Sequence, residues 1–101
     1  MVLRPYDIHW VELQPGKQRP FVILSPAEMN AHLPHVLAAP LTSKAQPWPT
    51  RVVLNQWDFH SEVALEGMCR IGQIHIKGRM ARLSAIEIRA VKAVLREMLV
   101  D

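Results

Sequence analysis

Apolar residues fall into short runs separated by proline, glycine and amide residues, a rhythm of strands and turns that gives way to one helical stretch at the end. Residues 8–13 form a β-type run closed by Gln14-Pro15-Gly16-Lys17, a composition that turns the chain. Residues 20–24 read as a buried strand, with Pro20 at its first position, where a missing N–H is tolerated. Residues 25–34 connect, with a helical turn at 27–30, and residues 36–41 make a third strand. Pro47 and Pro49 make 44–50 a loop, and 51–54 is a short fourth strand. Residues 55–60 read as a turn displaying Trp57 and Phe59. Residues 62–65 and 68–74 suit a further strand pair, with Gly67 and Gly72 marking a bulge or a close approach, and 76–81 adds one more strand. Ser84-Ala85-Ile86-Glu87 is a capping box, followed by Ile88, Val91, Leu95 and Met98 at helical spacing, with Arg89, Lys92 and Arg96 on the other side. The expected fold is mainly β in the α+β sense: a small, strongly curved antiparallel sheet closed by a C-terminal helix.

Length sets the scale: 101 residues, half of them hydrophobic, make one domain over 1–101 with an adequate core. No apolar stretch approaches the ~20 residues a membrane-spanning helix needs. Arg4, Pro5 and Asp7 interrupt any secretory h-region, so a cytoplasmic setting is expected. The single Cys69 excludes an intrachain disulfide and a cysteine-only metal site. His32 and His35 flank Pro34 without a third ligand group, so neither zinc nor a cofactor is expected. Trp10 reads as core, whereas Trp48, downstream of Lys44, is the tryptophan best placed to stack on a base.

A formal charge of +3 permits an anionic partner without demanding one. Its distribution says more. The second strand is entered through Gln18-Arg19-Pro20, and the third leaves through Thr42-Ser43-Lys44. Side by side, these strands would bring a guanidinium, two hydroxyls and an ammonium to one rim, a set that suits a phosphate group. A second basic stretch comprises Arg70, Lys77, Arg79 and Arg82, with no acid between Glu66 and Glu87.

These residues, in this order, resemble the MazF/PemK/Kid family of bacterial toxin ribonucleases. The resemblance runs from Asp7-Ile8-His9-Trp10-Val11-Glu12-Leu13-Gln14-Pro15 through Arg19-Pro20, Leu24-Ser25-Pro26 and Ala39-Pro40-Leu41-Thr42-Ser43 to Gly67–Gln73 and the C-terminal helix. It implies an SH3-like barrel and cleavage of single-stranded RNA without a metal, leaving a cyclic phosphate. It further implies a homodimer, and a cognate antitoxin that occupies the RNA groove. In such a protein the RNA ribose supplies the 2′-hydroxyl nucleophile, and the enzyme must stabilise phosphoryl charge and assist proton transfer. By resemblance Arg19 and Thr42, with Ser43 beside it, fill the catalytic positions. Lys17, Gln18, Lys44, Arg70, Gln73 and His75 are the expected RNA contacts. Of five histidines, His75 is the best placed for proton transfer, and His9 fits a structural role.

Two departures bear on activity. Only Pro15-Gly16-Lys17-Gln18 separates the first strand from Arg19, where many family members carry a longer loop, and Gly72 stands where many carry an acid. They leave a catalytically weak relative that binds RNA or antitoxin as an alternative. A gyrase-directed toxin of the CcdB kind is a second alternative, opposed by the Met98-Leu99-Val100-Asp101 ending, since those relatives depend on a Trp-Gly-Ile tail.

Overall fold

The computed structural model describes residues 2–101. Seven strands make one curved antiparallel sheet: β1 (Asp7–Gln14), β2 (Lys17–Ile23), β3 (His35–Thr42), β4 (Arg51–Leu54), β5 (Ser61–Ala64), β6 (Cys69–Gly72) and β7 (Ile76–Arg82). Helix α1 (Ala27–His32) precedes β3, and α2 (Ala85–Leu99) follows β7. The order across the sheet is β4-β5-β3-β2-β1-β7, with β6 attached separately to β3. Among the described residues β4 and β7 do not pair, so the expected barrel is an open, curved sheet.

Period-two alternation sorts the strand residues onto two faces, and both faces are buried. Ile8, Val22, Ala39, Leu41, Val52, Leu54, Val63 and Leu65 form one core with Val91 of α2. Val11, Phe21, Ile23, Val36, Ala38 and Ile71 form a second with Leu3. This double burial explains why β2 reads as a continuous apolar run. The β1–β2 hairpin turns on Pro15-Gly16 between the paired Gln14 and Lys17, and Gly16 takes the positive φ of 77° that a type II turn requires there.

The expected strand pair of 62–65 with 68–74 is corrected. Both segments contain strands, but β5 and β6 bond to β3 and not to each other. β6 takes His35–Ala38, β5 takes Leu41 and Thr42, and Pro40 stands between them without an N–H to donate. Gly67 passes over this point so closely that an added Cβ would lie 3.2 Å from Pro40 Cγ. Residues 73–75 form a 3₁₀ turn and not the end of a strand.

Two further expectations change. Trp10 is half-buried and belongs to neither core; beside it, β1 slips register against β7 on both sides of His9. On α2 the stripe that packs is Ile88, Val91, Val94 and Leu95, and it stops before Met98, which is exposed. The capping box forms as expected: Glu87 N donates to Ser84 Oγ and Ser84 N donates to Glu87 Oε1.

Candidate functional site

β2 and β3 pair antiparallel through Phe21–Pro40, Val22–Ala39 and Ile23–Ala38. Continuing that register by two residues sets Arg19 beside Thr42, the alignment expected for the two strands. An open cleft of about 390 Å³ lies there, lined by Arg19, Thr42, Ser43, Lys44, Phe59 and His60, among others, and by no carboxylate. Arg19 is exposed and makes no ion pair or hydrogen bond among the described residues, so its fork of donors is free for an anion. Thr42 Oγ1 accepts a hydrogen bond from Lys44 N at 3.1 Å, which fixes the hydroxyl and leaves its hydrogen to donate into the cleft.

The other expected contacts divide. Lys17 stands near Arg19 on an adjoining groove of about 200 Å³ with Val11, Leu13, Gln14 and Phe21. Gln18 points back along the hairpin and donates to Glu12 Oε1 at 3.1 Å. That bond, joined by Gly16 N, holds the Glu12 carboxyl below its ordinary pKa. Arg70 lies at the far end of β3, opposite Leu37, on an apolar groove with Met29 and Leu33. Gln73 has spent both amide hydrogens, donating to Asn30 O at 2.7 Å and Leu33 O at 2.8 Å, which ties α1 to the sheet. His75 lies beside Gly72 and His35 and is not among the residues that line the Arg19 cleft. Arg70, Gln73 and His75 therefore do not join the Arg19 cleft within one chain.

The remaining histidines also find places. His9 is buried and its Nδ1 lies 3.0 Å from Lys77 O, the structural role expected for it, and His32 Nδ1 lies 2.8 Å from Glu28 O. No group of three or more His, Cys, Asp or Glu suited to a metal occurs among the described residues. Trp48, the tryptophan best placed by sequence to stack on a base, covers the Arg51 guanidinium at 4.7 Å.

Two lining residues were not placed at the site from sequence. Phe59 is 58% exposed and stacks on Trp57, with ring centroids 5.5 Å apart and planes 5° from parallel. It thus offers an aromatic surface at the mouth of the cleft. His60 Nε2 lies 2.8 Å from Glu62 Oε2. The only sequence signal was the run Trp57-Asp58-Phe59-His60 in a turn; its distance along the chain from Arg19 hid the rest.

Glu62 is held from several sides. Besides His60, its Oε1 accepts from Arg51 Nη1 at 3.0 Å and Gln46 N at 3.4 Å. The His60 bond holds its carboxyl below the ordinary range, burial opposes this, and Arg51 assists. Arg51 also donates to Glu66 Oε2 and to Lys44 O, so it pins the loop that follows Thr42.

A family model, the PemK-like, MazF-like toxin of type II toxin–antitoxin systems, matches residues 4–99. This chain belongs to that family. Among solved structures, it is similar to a mycobacterial endoribonuclease in complex with its cognate antitoxin, with a TM-score of 0.85 at 18% identity over 96% of this chain and 94% of that one. The Deinococcus radiodurans MazE–MazF complex gives 0.85 at 23% identity, over 99% of this chain and 97% of that chain. Mycobacterium tuberculosis toxin MazF-mt6 gives 0.77 at 24% identity, over 90% and 93%. At these identities the likeness establishes the fold. No curated protein sequence matches the chain significantly.

Proposed function

We propose that this toxin is a metal-independent endoribonuclease that cuts single-stranded messenger RNA in the cytoplasm, is neutralised by a cognate antitoxin and works as a homodimer. The observation that carries the reading is the meeting of an unpaired Arg19 with Thr42 and Ser43 in a carboxylate-free cleft. The solved relatives named as endoribonucleases, one of them bound to its antitoxin, support it.

The chemistry follows from these groups. Attack of the ribose 2′-oxygen on the adjacent phosphorus adds negative charge to the non-bridging oxygens. Arg19 meets that charge with paired N–H donors on a planar guanidinium fork. Thr42, its oxygen already oriented by Lys44 N, donates its hydrogen to one phosphoryl oxygen. Ser43 and Lys44 add a second hydroxyl and a point charge, and Phe59 offers a face to an unstacked base. The short Pro15-Gly16 turn leaves the cleft open in the free protein, so no loop has to be ordered when RNA binds.

The test is incubation of purified protein with a long single-stranded RNA in EDTA, beside Arg19→Ala and Thr42→Ala. Discrete cuts by the natural protein that disappear in both variants are expected. Binding without any cutting by folded protein would overturn the enzymatic reading in favour of a toxin-fold binder.

A further inference from the structure

We propose that His60 is the proton-transfer residue of this cleft, with Glu62 as its positioning residue. The inference rests on the ribonuclease reading and adds to it the group that removes the 2′-hydroxyl proton.

Three observations carry it. The first is placement. Glu62 is the cross-strand partner of Thr42 in the β3–β5 pairing, and His60 lies two residues earlier, so their side chains share one side of the chain. His60 consequently lines the same cleft as Arg19, Thr42 and Ser43. Neither His9 nor His75 does so.

The second is the contrast in exposure. The Glu62 side chain is only 4% exposed, whereas the imidazole it holds is 44% exposed. A histidine kept only to satisfy a buried carboxylate has no need to stand in an anion cleft. This carboxylate already has Arg51 and Gln46 N as partners on its other oxygen.

The third is atomic polarity. Nε2 lies 2.8 Å from Glu62 Oε2, and an ionised carboxylate only accepts, so Nε2 carries the hydrogen and Nδ1 presents its lone pair. A carboxylate behind an imidazole selects the tautomer, fixes the ring and stabilises the imidazolium once it forms. The Arg51 contact, with Glu66 and Trp48 behind it, keeps Glu62 in place. The cations facing the ring across the cleft are Arg19 on β2 and Lys44 after β3, and Asp58 lies in the ring's own loop.

The step balances without a further cofactor. The 2′-oxygen bonds to phosphorus as its proton passes to His60 Nδ1, the P–O5′ bond breaks with its electron pair on the 5′-oxygen, and that oxygen takes a proton from water. The products are a 2′,3′-cyclic phosphate and a 5′-hydroxyl, and the imidazolium then returns its proton to solvent. Arg19 and Thr42 hold the phosphoryl oxygens throughout.

The experiment is single-turnover RNA cleavage in EDTA, from about pH 5 to about pH 9 to span imidazole titration. It compares the natural protein, Arg19→Ala, His60→Ala with and without added imidazole, His60→Gln and Glu62→Gln, with circular dichroism to check folding. Natural protein whose rate climbs through that range is expected, against a ~10²–10⁴-fold loss in His60→Ala that added imidazole partly restores. His60→Gln keeps a donor for Glu62 but cannot titrate, so it should be as slow as the alanine variant. Glu62→Gln should shift the pH limb while retaining more activity. Cleavage by folded His60→Gln within about threefold of natural protein would reduce His60 to a hydrogen-bonding role and overturn the proposal. Natural protein that leaves RNA intact would instead overturn the ribonuclease reading itself, and Arg19→Ala that cuts normally would overturn the assignment of cleavage to this cleft.

Discussion

Replacing Glu87 should loosen two parts of the molecule at once. Its buried carboxylate accepts from Ser84 N at 2.8 Å, Asn55 N at 2.9 Å and Gln56 Nε2 at 2.8 Å. One oxygen thus caps α2, and the pair together anchor the start of the loop that carries Phe59 and His60 to the cleft. Each bond to a charged acceptor contributes ~1.5–3 kcal/mol, but Ser84, Asn55 and Gln56 are exposed enough for water to replace much of it. A net loss of about 2–3 kcal/mol in Glu87→Ala follows, which lowers the melting temperature by about 10–20 °C in a domain of this size. Burial pushes this carboxyl up, yet the hydrogen bonds from Ser84, Gln56 and Asn55 outweigh it and hold the pKa below the ordinary value. A depressed folded-state pKa contributes stability that is fully present above the unfolded glutamate value and is lost as pH falls through the folded one. The gap between natural and variant protein in urea titrations should therefore be constant near neutrality and close in acid. Hydrogen exchange at the Asn55 amide should accelerate in the variant. A stability loss under about 0.5 kcal/mol, or a gap that does not change with pH, would refute the reasoning.

Two further outcomes are expected. Arg19→Lys keeps the charge but not the planar fork, so RNA cleavage should fall by about 10-fold or more while binding in low salt falls much less; equal activity would show that charge alone suffices. Gln73→Ala should cost about 1–2 kcal/mol in urea titration, because it frees Asn30 O and Leu33 O, and should change single-turnover cleavage less than about threefold. A large catalytic loss without destabilisation would restore Gln73 to the RNA groove.

The sequence by itself determined the features whose causes are local. Pro15-Gly16 dictates a tight hairpin because proline presets one turn angle and glycine tolerates the positive φ at the next. Ser84 and Glu87 start α2 because each satisfies the other's exposed amide. Arg51–Leu54 is a strand as read, and Arg19 meets Thr42 because the start of β2 runs beside the end of β3 in strands that pair. Partner choice was decided only in the tertiary structure. The strands at 61–64 and 69–72 both bond to β3, divided by a proline, because burial on two faces selects among pairings that local propensity leaves equal. That packing also turned Gln73 to the α1 main chain and left His75 out of the Arg19 cleft. Of five histidines alike in composition, His60 reached the cleft through the β3–β5 register, a contact between residues distant in the chain that no short window of sequence contains.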